Sequence, residues 1–221
     1  MSEKPSDNRV IAIIVCLAAA AALAYACIAT SWLYNPRNKQ HFEVGFGLTR
    51  MFECEVADGG ECKSSSNAAF ESEWKALLAD IRERAKKDPA DTQAQEFAVG
   101  AAKELRVSGA WTTLGWITLG CAALAALSLL ACVGLVLAKK RIAWPILPTT
   151  TAILGLAIGL VTGCVFVALK PGPPGYVGVH LGFFAFGAGV LTGLLGALMM
   201  NKLLRPHDPD LLADSMDPEH Y

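Results

Sequence analysis

Four stretches of the chain alternate with polar segments and carry no charged residue: residues 10–33, 111–138, 145–169 and 180–201. An α-helix rises about 1.5 Å per residue, so roughly 20 residues cross the 30 Å hydrocarbon layer of a bilayer. Each stretch is long enough. None carries the mid-membrane charge that costs about 2.5–3.5 kcal/mol on insertion. The pattern predicts four transmembrane helices, over 10–33, 111–138, 145–169 and 180–203, joined by a long polar loop (34–110), a short basic loop (139–144) and a short loop (170–179). Residues 1–9 and the acidic segment 204–221 flank them, the latter expected to be disordered. Ala24-Tyr25-Ala26-Cys27 could pass for a signal-peptide cleavage site, but the apolar run before it is too long.

The long loop splits in two. Phe42, Val44, Phe46 and Leu48 alternate with His41, Glu43, Gly45, Gly47 and Thr49, the period of a half-buried strand. Residues 51–56 can pair with it, and Asp58-Gly59-Gly60 reads as a turn, so 41–62 is expected to be β-rich. Farther on, Phe70, Trp74, Leu77 and Ile81 form one helical stripe. Glu71–Lys75, Asp80–Arg84 and Glu83–Lys87 are acid-first i, i+4 pairs on the solvent side. Helices are expected over 68–87 and 89–107, the second capped by Asp88 with Pro89 in its first turn.

Composition sharpens the picture. Hydrophobic residues make up 53% of the chain and charged ones 18%, below the quarter usual in soluble domains. The net charge of −1 implies no electrostatic partner, and no basic face suits nucleic acid. Lys4, Arg9, Lys139, Lys140, Arg141, Lys202 and Arg205 all flank one side of a four-span topology, which the positive-inside rule assigns to the cytoplasm together with both termini. The expected location is a cell membrane, the inner one if the source is bacterial. Trp32, Tyr34, Trp111, Trp144 and Tyr176 sit at span ends, where aromatic rings settle at headgroup level.

Candidate chemistry is sparse. Cys54 and Cys62 flank the predicted turn on the oxidising side, and a disulfide between them is expected. The other five cysteines lie in the spans. Cys27, Cys121 and Cys164 thread to similar depth, which keeps a thiol-redox or soft-metal cluster open, although small packing residues explain them as well. No nucleophile–base pair, phosphate loop or metal motif is present, so no enzyme activity, cofactor or metal is expected. The spans hold no ionisable group of the kind that marks ion pathways. Gly155, Gly159, Gly163, Gly189 and Gly193 recur at four-residue spacing, a small-residue stripe that lets helices approach closely in lipid.

Trp32 at the end of the first span, then Gly47-Leu48, Phe52-x-Cys54 and Cys62, then a helix entering the second span, together resemble the claudin superfamily, which includes peripheral myelin protein and calcium-channel gamma-subunit relatives. That family shares a Gly-Leu-Trp-x-x-Cys motif; Phe52 stands in for its aromatic here, and residues 100–105 resemble its short extracellular helix. The resemblance implies an all-α, left-handed transmembrane four-helix bundle carrying a small extracytoplasmic antiparallel sheet, here with a helical insert. Trp32, Gly47, Leu48 and Phe52 would pack the sheet on the bundle, and Cys54–Cys62 would staple it. It also implies a non-enzymatic protein that acts by lateral or extracytoplasmic contact with itself or other membrane proteins, as scaffold, cell-contact protein or auxiliary subunit. The alternatives are a small channel, transporter or transporter accessory, and a membrane thiol-redox protein.

Overall fold

The computed structural model describes residues 6–35, 42–55, 60–87, 91–138 and 146–204. In chain order the elements are α1 (Ser6–Ile28), β1 (Leu33–Asn35), β2 (Phe42–Phe46), β3 (Arg50–Glu55), β4 (Cys62–Ser66), α2 (Asn67–Lys87), α3 (Thr92–Glu104), α4 (Trp111–Leu137), α5 (Ile146–Ala168), β5 (Gly178–Val179) and α6 (Leu181–Leu204). Among the described residues four helices are long and apolar enough to cross a membrane, at Asn8–Ile28, Trp111–Leu137, Leu147–Ala168 and Leu181–Leu204. The chain is a multi-pass membrane protein, mostly helical, with a small antiparallel sheet.

The bundle is built inside out relative to a soluble one. Its buried positions recur at alternating steps of three and four: 12, 16, 19, 23 and 26 on α1; 115, 118, 122, 125, 129 and 132 on α4; 149, 152, 156, 159, 163 and 166 on α5; and 182, 186, 189, 193, 196 and 200 on α6. A 3.5-residue period turns one seam of each helix inward and favours left-handed supercoiling. Most of these positions hold Ala, Gly, Cys or Thr. The large apolar residues point outward instead: Leu127 is 65% exposed, Leu191 72% and Ile14 60%. In water such a surface would drive aggregation; in lipid it costs nothing, and the small inner residues gain close packing. The helices close into a ring in which α1 adjoins α4 and α6, and α5 adjoins the same two.

At one end of the ring sits a five-stranded antiparallel sheet in the order β4-β3-β2-β1-β5. Expected and observed bounds differ here. The first span was expected to run to residue 33, but α1 stops at Ile28, where Ala29 N makes its last helical bond to Tyr25 O, and Leu33 already lies in β1. The β-rich region extends beyond 41–62 on both sides, and β5 comes from the short loop before α6. Strand β1 pairs with both, Leu33 facing Phe46 on β2 and Val179 on β5.

Helix α2 leaves β4 directly, with Ser66 Oγ accepting from Ala69 N at 3.1 Å as its cap. Its inward stripe is Phe70 and Ala85, both buried, with Trp74, Leu78 and Ile81 half-buried, rather than one through Leu77, which is 48% exposed. At about 100° per residue Leu78 and Leu77 lie roughly 40° and 60° to either side of Trp74, so spacing separates them only slightly. The three i, i+4 ion pairs all form, Asp80–Arg84 at 2.8 Å and Glu83–Lys87 at 3.1 Å beside Glu71–Lys75. Helix α3 folds back on α2, with Gln95 Nε2 donating to Ala85 O at 2.6 Å. Its cap is Asp91, whose Oδ1 accepts from Gln93 N and Ala94 N at 3.0 and 3.1 Å. Asp88 and Pro89 lie outside the described residues, as do Trp144, the basic loop and the acidic tail.

Candidate functional site

The densest constellation of side chains lies where the sheet meets the bundle. Trp32, just past the end of α1, is fully buried. Its indole Nε1 donates to Ala26 O at 2.7 Å, and its backbone N donates to Phe46 O at 2.8 Å. One residue thus ties helix end to strand. Its ring meets Phe166 edge-on at 6.1 Å, Phe183 at 5.9 Å and Phe186 at 5.1 Å. From Phe166 the chain of rings continues through Trp111, stacked at 4.9 Å with its Nε1 donating to Phe166 O, to Phe46 and Phe70, then Trp74. Aromatic pairs at such separations contribute about 0.5–1.5 kcal/mol each beyond area burial. Trp32 and Trp111 were expected at headgroup level. Both stand at span ends, and both rings are fully buried in the protein where the sheet covers the bundle end.

Gly47-Leu48 forms the tip of the β2–β3 hairpin and is wedged into the bundle. A Cβ on Gly47 would stand 2.5 Å from Ala29 O, so the hairpin backbone rides directly on the end of α1. On the other side, a Cβ on Gly115 of α4 would collide with Leu48 O. Two glycines, one in the sheet and one in the bundle, permit this backbone approach. Asn67, the first residue of α2, locks the tip: its Nδ2 donates to Gly47 O at 3.0 Å and Leu48 O at 3.1 Å, and its N donates to Thr49 O. The residue is fully buried, and its own Oδ1 accepts from nothing among the described residues.

One turn along α2, the nearly buried Glu71 accepts from Lys75 and from Thr112 Oγ1 on the first turn of α4. Burial pushes its carboxyl upward, but the hydrogen bonds from Lys75 and Thr112 and the ammonium charge outweigh that, leaving it below the usual glutamate range. The 170–180 loop closes the other side. Gly172 N donates to Arg106 O, Lys170 Nζ to Val177 O at 2.8 Å, Asn35 Nδ2 to Tyr176 O at 2.6 Å, and His180 N to Trp32 O.

Cys54 and Cys62 form a disulfide across directly paired positions of β3 and β4, with Cα atoms 4.1 Å apart. Phe52 departs from its expected role. Its register partner is Gly45, and strand alternation puts it opposite Phe46 and Met51, on the sheet face turned away from the bundle. There its ring lies over Gly45 and beside Tyr34 at 6.2 Å. It does not pack the sheet on the bundle. Trp111 and Phe166 supply the aromatic bulk at that interface, and their signal was only their place at the helix ends.

In the bundle, Gly155 and Gly159 face Cys121 and Ala125 of α4, a Cβ on Gly155 standing 3.0 Å from Cys121 O. Gly163 meets Thr118 and Phe186, Gly189 meets Leu23 of α1, and Gly193 meets Leu156 of α5. Gly182 under Trp32 and Gly196 against Cys16 are equally close and were not singled out by spacing. The buried Thr118 hydroxyl donates to Leu114 O and lies 2.9 Å from Thr162 Oγ1, tying α4 to α5. Cys27, Cys121 and Cys164 do not gather into a metal-binding group. Cys121 packs into the α5 glycine face, Cys164 is exposed, and Cys27 Sγ faces Leu119 O at 4.0 Å. Among the described residues no three His, Cys, Asp or Glu side chains gather closely enough to hold a metal ion. Neither a protein-family model nor any curated protein matches the chain.

Proposed function

We propose that this is a non-enzymatic membrane protein that acts by protein–protein contact, laterally in the bilayer or through its extracytoplasmic sheet, in the manner of claudin-like scaffolds, cell-contact proteins and auxiliary subunits. The observation that carries this reading is the rigid mounting of the sheet. The ring seam from Trp32 to Trp74, the Gly47-Leu48 wedge and the Asn67 clamp fix it to the bundle end. A surface held that firmly presents a constant shape to a partner, which lowers the ordering cost of binding. The same residues support the family resemblance. Trp32 and Gly47-Leu48 are the motif positions that meet the helices, and Cys54–Cys62 joins neighbouring strands as the motif cysteines would.

In this reading the basic segments around the start of α1, between α4 and α5 and around the end of α6 lie in the cytoplasm, and the sheet with the α2–α3 hairpin stands on the opposite, oxidising side. The close approaches at Gly155, Gly159, Gly163, Gly189 and Gly193 work as a glycine zipper inside the bundle, leaving the outward Leu and Ile residues for lipid or a lateral partner. The test is isolation from native membranes in mild detergent, with cross-linking before solubilisation. A stoichiometric assembly, of this chain with itself or with another membrane protein, is expected. The reading fails if the chain runs alone under all such conditions and, reconstituted by itself in vesicles, passes ions or turns over a substrate.

A further inference from the structure

Only one face of the sheet meets the bundle. Alternation along the strands puts Leu33, Val44, Phe46 and Met51 on the bundle side and Tyr34, Glu43, Gly45, Arg50, Phe52 and Ser64 on the far side. Helix α2 does not cover this far face, since Phe70 packs on Phe46, a bundle-side residue. At its centre the half-buried Phe52 ring covers Gly45 and adjoins Tyr34, whose other side meets the exposed His180 ring at 4.8 Å. The centre is therefore aromatic.

Charges flank that centre on opposite sides. Arg50 opens β3 at one end and is exposed, while Glu43 lies at the other end, opposite Cys54. Four residues of strand separate the two rows, about 13 Å, and Phe52 lies midway. Tyr34 pairs with Gly45, two residues from Glu43 on the neighbouring strand, so both share this face. Among the described residues the ion pairs are those of α2, and Arg50 takes part in none. An apolar centre with one positive and one negative group equally displaced from it is its own complement under a two-fold rotation.

We propose that the far face of the sheet docks on the same face of a second copy of this chain, Phe52 meeting its counterpart near the axis and Arg50 of each copy meeting the partner's Glu43. This rests on the interaction reading above and names its partner. The arrangement matches the anatomy of a specific interface, with aromatic residues in the centre and charge pairs at the rim that set register.

The test is charge reversal read as self-association of the full chain in detergent, by sedimentation over a range of concentrations. The wild-type chain is expected to dimerise. Arg50→Glu and Glu43→Arg, each placing like charges together, should weaken dimerisation about tenfold or more. The double variant R50E/E43R should restore it, which separates a lost contact from a lost fold. A wild-type chain that stays monomeric overturns this pairing and leaves the broader interaction reading to its own test. So does a dimer indifferent to both single reversals, or one that the double variant fails to rescue.

Discussion

Replacing Gly115 by alanine adds a single methyl group where α4 meets the hairpin tip, and the structure gives it nowhere to go. It would overlap Leu48 O and stand 3.0 Å from the carbonyl carbon and 3.3 Å from Phe166 Cε2. Ordinary C···O contacts start near 3.3 Å, so hairpin and helix must part by roughly 1 Å. The obstacle is backbone, held by Asn67 and by the buried Leu48 side chain, and so cannot swing aside as a flexible side chain would. A gap of 0.5–1 Å forfeits about a quarter to a half of a dispersion well, and here it opens beneath the Trp111–Phe166–Phe46 rings. Overpacking costs about 1–3 kcal/mol in general; the upper end applies, about 3 kcal/mol. For a chain of this size that corresponds to a fall in Tm of about 6–12 °C. Gly120→Ala is the control. It lies on the same helix with nothing within 4 Å of a new Cβ, so it should leave Tm unchanged or slightly raised. Thermal unfolding in detergent followed by tryptophan fluorescence reads both, because Trp32 and Trp111 sit in the seam. Equal melting of the two variants would refute the wedge.

Asn67→Ala leaves Gly47 O and Leu48 O buried without their side-chain donor, at a cost of about 2–4 kcal/mol; hydrogen exchange should rise across residues 42–55, and unchanged protection there would contradict the clamp. Glu71→Gln should weaken the α2–α4 tie. Because the Glu71 carboxyl is held below its usual range, that tie is complete above the unfolded-state value and is lost only as pH falls through the folded one. The stability gap between wild type and E71Q should accordingly stay level from pH 7 to about 5 and close only below about pH 4; a gap already closed at pH 5.5 would show that the carboxylate is not held this way. Cys54→Ser should remove the shift in non-reducing mobility that separates oxidised from reduced protein, whereas Cys164→Ser should not; a shift surviving the first change would place the bridge elsewhere. Gly159→Leu should lower Tm, since even a Cβ there lies 3.3 Å from Cys121 Cβ and 3.5 Å from Phe186, and unaltered melting would argue against close packing of α5.

The spans were legible because lipid leaves a blunt signature, an unbroken absence of charge. The helices of the long loop were legible because water imposes periodicity on whatever folds against it, and the three ion pairs of α2 follow from spacing alone. Strands β1 and β5 left no such mark, being three and two residues long, too short for alternation to register. Phe52 was misplaced because the motif comparison supplied a residue type without a parity, and one residue of register decides which face a strand side chain takes. Leu77 and Leu78 are adjacent and chemically identical, so only the helix that packs on them could say which turns inward. Gly115 matters through a carbonyl 67 positions away in the chain, a relation no local pattern carries.

Strand β5 follows three of the four membrane-crossing helices, yet it pairs with β1, which follows the first. The β1–β5 hydrogen bonds therefore cannot form until three of the four membrane-crossing helices have been synthesised. Its inner surface is completed by rings from α4, α5 and α6, so residues 34–110 excised as a soluble fragment would lack both a bordering strand and a floor. A truncation before residue 178 should leave the sheet without its bordering strand, read as faster hydrogen exchange in residues 33–35.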